Sequence, residues 1–141
     1  MMLSTEESIP LPHWEPPALP ADATGRALGM WGESLAAGHL AARGIDILAT
    51  NWRCRDGELD IVGRDPARDA LVAFEVKTRR ANSHIGAIES ISYAKLRRLR
   101  HLLLAWIQQT GKHAPALAID LIAITVDSEL GWHLHHVEGI A

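Results

Sequence analysis

The chain has 141 residues, 48% hydrophobic and 22% charged, enough for one compact domain with a core of its own. Its formal net charge of -3 gives no bulk sign of a nucleic-acid binder, and its single cysteine, Cys54, excludes an internal disulfide framework and a cysteine-rich zinc site. No run approaches the ~18 to 20 apolar residues that span a bilayer, and the N-terminus lacks the basic start and apolar core of a signal peptide, so a cytoplasmic protein with no membrane association is expected.

Residues 1–24 read as an extended, mobile arm. Pro10, Pro12, Pro16, Pro17 and Pro20 fall within eleven positions, and proline suits neither a helix interior nor a central strand. Trp14 in the arm is a candidate to dock on the domain or on a neighbouring chain. A domain over residues 25–141 follows. From Arg26 to Arg43, Leu28, Trp31, Leu35 and Ala42 recur at helical spacing, with Thr24 as N-cap and Gly44 as C-cap. Gly29, Gly32 and Gly38 each weaken that helix by roughly 1 kcal/mol relative to Ala, which suits close packing against a sheet.

Three strands are expected next, at Ile45–Arg53, Glu58–Gly63 and Leu71–Thr78. Arg55-Asp56-Gly57 and the segment Asp65–Asp69 supply turn chemistry between them, so the three read as an antiparallel meander. A looser segment runs from Arg79 to Ser90. Ser92–Thr110 is the strongest helix, with Leu96, Leu99, Leu103, Trp106 and Ile107 on one stripe, Lys95, Arg98 and Gln109 off it, and Gly111 as its stop. Strands at Ala116–Val126 and Trp132–Val137 close the chain. The order helix, three strands, helix, two strands is that of an α/β fold.

Charge is unevenly placed. Between Lys77 and His101 lie seven Lys or Arg residues against one acid, Glu89, a local charge of +6 that holds half of all the basic residues. Arg79 and Arg80, directly after the third strand, are candidates for gripping phosphates, as are Lys95 and Arg98 on the second helix and Arg53 on the first strand. A solvated surface is the alternative for each.

Glu75 and Lys77 lie in the most strand-like apolar run, Ala70 to Thr78, and period two puts both on one face. A carboxylate and an ammonium there are costly unless paired or put to use. Asp60 sits in a second apolar stretch, with Glu58 two residues before it on the same face. Glu33 lies in mid-helix. Two carboxylates on adjacent strands and a lysine one strand-repeat further on suit a hard divalent cation, Mg2+ or Mn2+, which lowers the pKa of water. The lysine can orient that water or neutralise charge on a phosphoryl group. A structural ion pair between Lys77 and Asp60 or Glu75 is the competing reading.

Gly32-Glu33 with Ala36-Ala37, then Asn51-Trp52-Arg53, Gly57-Glu58-Leu59-Asp60-Ile61 and Phe74-Glu75-Val76-Lys77-Thr78-Arg79 form an ordered series. It resembles the YraN-type family of bacterial predicted endonucleases, which is similar to archaeal Holliday-junction resolvases within the PD-(D/E)xK nuclease superfamily. The resemblance covers about residues 25 to 126. It implies a restriction-endonuclease-like αβββαβ core, a mixed central sheet flanked by helices, with a metal site at the middle strands. Asp60, Glu75 and Lys77 would be the catalytic triad, Glu33 the helix-borne acid, and Asp60, Glu75 and Glu33 the ligands of Mg2+ or Mn2+. The implied activity is metal-dependent hydrolysis of DNA phosphodiester bonds, with branched or junction DNA among the substrates. Resolvases of this fold act as dimers because a junction has two symmetric strands to cut, so a homodimer is compatible with the resemblance. Family members carry a basic residue and an aromatic before the residue matching Asp120, where this chain has Ala118-Ile119.

Other residues have plainer readings. Asp120 reads as the structural partner of a basic neighbour. His133 and His135 share a strand face without a third spaced ligand, and read as an exposed face rather than a zinc site. Two other functions stay open: a nucleic-acid-binding module that keeps the fold without cleaving, and an assembly protein with Trp31, Trp52 or Trp132 at an interface.

Overall fold

The computed structural model describes residues 4–6, 15–19, 25–81, 91–127 and 131–141. Trp14, Thr24 and most of the segment 79–90 lie outside these, and with them the docking, capping and loop expectations placed there. The elements are β1 (Ser4–Glu6), α1 (Gly25–Ala42), β2 (Asp46–Cys54), β3 (Gly57–Asp65), β4 (Ala70–Arg80), α2 (Tyr93–Thr110), β5 (Ala116–Asp127) and β6 (Gly131–Val137). From α1 onward the order is the expected one.

All six strands form one sheet in the order β1-β6-β5-β4-β3-β2. β4 and β5 are parallel, joined through α2, and every other neighbouring pair is antiparallel. The sheet is mixed, as the resemblance implies, and is consistent with a restriction-endonuclease-like core. The N-terminal segment contributes β1 to the edge, with Ser4 opposite Val137. In the same segment the Pro17 carbonyl accepts from Trp31 Nε1 at 3.1 Å.

Period-two alternation splits the apolar residues between two layers. Val72 and Phe74 of β4 join Leu28, Trp31, Leu35 and Leu40 of α1 on one face. Leu71 and Ala73 join Leu99, Leu102, Leu103 and Trp106 of α2 on the other. Trp31 is core, packed edge-on to Trp132 with ring centroids 6.3 Å apart, so it is not presented for an interface. Among the described residues no helix is long and apolar enough to cross a membrane.

Local chemistry accounts for the helix ends. Ser92 is the N-cap of α2, accepting from the Lys95 amide at 3.0 Å, and Gly111 ends it at φ 74, donating to the Ile107 carbonyl. Gly44, at φ 93, ends α1 as expected. Three expectations need correction. β4 runs on through Arg79 and Arg80 instead of stopping at Thr78, because β5 offers a parallel ladder that pairs them with Thr125 and Val126. Leu102, off the predicted stripe, is buried, while Leu96 and Ile107 are only partly so. Gly32 is close-packed, since a Cβ there would stand 1.9 Å from Thr78 Oγ1, but Gly29 is not, since a Cβ there would meet open space.

Candidate metal centre at the sheet fork

β3 and β4 pair from Asp65 opposite Ala70 to Ile61 opposite Phe74, where the ladder ends. Past that point β3 stays on β2, with Leu59 opposite Trp52 and Glu58 opposite Arg53. β4 stays on β5, from Glu75 opposite Leu121 to Arg80 opposite Val126. The sheet therefore forks at Asp60 and Glu75. Side-chain alternation breaks at the same place: Ile61 packs in the α1-side core, and both Leu59 and Val62 in the α2-side core. Across on β2, Asn51 takes φ 50, a left-handed conformation that asparagine tolerates better than most residues.

At the fork Asp60 replaces the missing ladder with its side chain, accepting from the Val76 amide at 2.9 Å. It lines two clefts. One, of about 390 Å³ on the α1 side, includes Met30, Glu33, Ser34, Thr50 and Asn51. The other, of about 330 Å³ on the α2 side, includes Glu58, Glu75, Lys77, Lys95 and Arg98. Glu33 is carried in beside Gly32, whose lack of a side chain lets α1 sit down on Thr78 of β4.

The site gathers acids. Single carboxylate oxygens of Glu33, Glu58 and Asp60 lie within 4.8 Å of one another. Asp60 and Glu75 both line the α2-side cleft. Burial first, then the charge and hydrogen bond of Glu75, push the Asp60 carboxyl up to about 8, against the lowering effect of the Val76 amide. Glu33 is also raised, by burial and then by Glu58 and Glu75, with Arg53 opposing. Two lysines face one oxygen of the buried Glu75: Lys95 Nζ at 3.2 Å and Lys77 Nζ at 3.9 Å from Oε2. An all-oxygen donor set crowded enough to hold a proton near neutral pH fits a hard divalent cation, which would replace that proton.

All four expected site acids and bases, Glu33, Asp60, Glu75 and Lys77, thus converge. Of the expected phosphate contacts, Lys95 and Arg98 line the α2-side cleft. Arg53 is paired with Glu58 at 2.8 Å on the rim. Arg79 and Arg80 lie further along β4. Sequence reasoning missed two features. Lys95 touches Glu75 itself, although its place three residues past a helix-capping serine was a usable sign that it sits at the near end of α2. The Val76 amide as a partner of Asp60 leaves no side-chain signal.

A second acidic group, Asp120 with His136 and Glu138, also has metal-compatible spacing. Its cation is Arg68. The guanidinium donates to both Asp120 oxygens, at 3.0 and 2.7 Å, and pairs with Asp65 and Glu138. His136 Nε2 lies 2.7 Å from Asp120 Oδ2, and the Gly139 amide donates to Oδ1 at 2.9 Å. Burial would raise the Asp120 carboxyl, but the bonds from His136, Arg68 and Gly139 outweigh it and hold the group below its ordinary value. Asp120 is therefore structural, as expected, and its basic neighbour is Arg68 from the β3–β4 turn. His133 is exposed and His135 half-buried, while His136, on the opposite face of β6, is buried beside Phe74 with ring centroids 5.7 Å apart in a T-shaped arrangement.

The sequence profile of one family, described as uncharacterised protein family UPF0102, matches residues 32–124, from the residue before Glu33 to four past Asp120. Similar proteins carry the same family name. One from Mycobacterium sp. (strain JLS) is 38% identical over 118 residues, 84% of this chain and 87% of that protein. One from Mycolicibacterium smegmatis is 40% identical over 117 residues, covering 83% and 94%. One from Kineococcus radiotolerans is 40% identical over 116 residues, covering 82% and 93%.

Proposed function

The chain belongs to the UPF0102 family, and from that premise we propose that it is a metal-dependent endonuclease that hydrolyses DNA phosphodiester bonds. One observation carries the reading: Asp60, Glu75 and Lys77 meet at the point where β3 and β4 part, with Glu33 facing them from α1. A fork between strands is an open crevice with backbone on both sides, where an extended polymer can lie across the acids.

Asp60 and Glu75, with Glu33, would hold Mg2+ or Mn2+. When bound, such an ion lowers the pKa of water and offsets charge building on a phosphate. Lys77, on the same face as Glu75, orients the attacking water and neutralises a phosphoryl oxygen. Lys95 and Arg98 on the α2 side, with Arg79 and Arg80 further along β4, provide cations for neighbouring phosphates. Branched and flapped DNA are the structures to compare with plain duplex as substrates, and a homodimer is compatible with the reading.

The test is a cleavage panel of duplex, single-stranded, flapped and four-way-junction DNA with Mg2+ or Mn2+, using Glu75→Ala as the blank. Cleavage by the wild-type protein and none by Glu75→Ala or Lys77→Ala, both still folded, is the expected result. Full activity in purified Glu75→Ala protein would sink the reading. Salt-sensitive DNA binding with no response to Mg2+ would replace it with a non-cleaving binding module.

A further inference from the structure

Helix α2 carries its cations on two sides. Lys95 and Arg98 line the cleft at the fork. Tyr93 and Arg97, four residues apart and so on one face of the helix, are both exposed. Tyr93 is 76% exposed, more than the other exposed large hydrophobic side chains among the described residues. The Arg97 guanidinium lies over its ring, 6.0 Å from the centroid. From Tyr93 to Arg100 four of eight residues are basic and none is acidic. An aromatic ring held at the surface inside a run of cations matches the two needs of a single nucleic-acid strand, a charged track for the backbone and a flat face for a base.

We propose that Tyr93, steadied by Arg97, is a stacking platform for an unpaired base, so that the substrate of this site carries a single-stranded segment beside the point of cleavage. The proposal rests on the nucleic-acid part of the function proposed above. Tyr93 and Lys95 are two residues apart, about 200° around the helix, and project to opposite sides of its first turn. A helix is roughly 10–12 Å across, which roughly three stacked nucleotides cover at ~3.4 Å each. A strand with one phosphate at Lys95 therefore brings a base a few positions away over Tyr93. Within a duplex the faces of all but the end bases are covered by their neighbours, and the ring has nothing to stack on there. An unpaired base offers its face.

The test is fluorescence anisotropy in EDTA with three labelled probes of one sequence: a single strand, a blunt duplex, and that duplex with a single-stranded flap. Tyr93→Ala is expected to weaken the single strand and the flap about tenfold, the scale of one lost base stack, while the blunt duplex stays within about twofold and Tyr93→Phe binds all three as the wild type does. Equal weakening of all three probes, or none, overturns the proposal. Single-strand binding that depends on Tyr93, in a protein that cleaves nothing in the metal panel, keeps this proposal and removes the hydrolytic one. Cleavage of the flap by Tyr93→Ala at the wild-type kcat/KM removes this proposal alone. Binding to none of the probes by the wild-type protein removes this proposal and leaves the hydrolytic one to the metal panel.

Discussion

Asp60 accepts the amide hydrogen of Val76 across the fork, 2.9 Å from the strand it no longer pairs with. One carboxylate therefore ends the β3–β4 ladder and stands in the candidate metal centre. A residue in both roles ties the stability of the metal-free fold to the protonation of its site.

Stability of the metal-free protein should fall as pH rises from about 4 to about 8. Asp60 is raised from an ordinary 3.8 to about 8, by burial first and Glu75 second. A group raised in the folded state stabilises it fully below the unfolded value and loses that contribution as pH climbs through the folded one. The size is about a few kcal/mol, at ~1.4 kcal/mol per pKa unit and reduced by residual solvent access. Asp60→Asn keeps an oxygen for the Val76 amide and has no proton to lose, so its thermal midpoint in EDTA should fall less over the same range, the remaining slope coming from the raised Glu33 carboxyl. A wild-type midpoint that does not move between pH 5 and 9 would contradict the assignment.

Mg2+ should bind more tightly as pH approaches 8, with release of a proton, because the ion and the proton compete for the same oxygens. Calorimetric titrations in two buffers of different ionisation heat count the protons released. A heat independent of buffer would mean that the ion binds elsewhere.

Lys95→Met should tighten Mg2+ binding about fivefold, on the order of 1 kcal/mol for a partly exposed ion pair. The Lys95 ammonium at 3.2 Å occupies the Glu75 oxygen that the ion would take. The same substitution should weaken DNA binding and make its salt dependence shallower by about one phosphate contact. Unchanged Mg2+ affinity would assign Lys95 to DNA alone.

Gly32→Ala should destabilise the fold by about 1–3 kcal/mol through overpacking, because the new Cβ would stand 1.9 Å from Thr78 Oγ1. The pair Gly32→Ala with Thr78→Ala should recover much of that loss in denaturant melts, since the nearest colliding atom is gone. If the double variant is as unstable as the single one, the clash is not with the Thr78 hydroxyl and methyl groups.

Asp120→Ala should cost about 3–5 kcal/mol, since it leaves the Arg68 guanidinium without its bidentate partner. The Asp120 carboxyl is held below its ordinary value, so its contribution is present above about pH 4 and is lost as pH falls through the folded value. Acid melts should show a wild-type loss below about pH 4 that Asp120→Asn lacks.

Much of this protein is written locally. The strands from β2 to β6 and both helices follow from the periods of the apolar residues, because burial on one face of a strand or helix repeats at two or 3.6 residues. Ser92 and Gly111 mark the ends of α2 because capping is chemistry between near neighbours. The shared face of Glu75 and Lys77 follows from strand geometry alone, and Glu33, Asp60, Glu75 and Lys77 could be singled out as acids and a base set among apolar residues. What only the tertiary structure decided lies between elements. The fork at Asp60, the approach of Lys95 to Glu75, and the capture of Asp120 by Arg68 from 52 residues away depend on which strands pair and where pairing stops. Such contacts join residues far apart in the chain, and no local period or spacing encodes their distance.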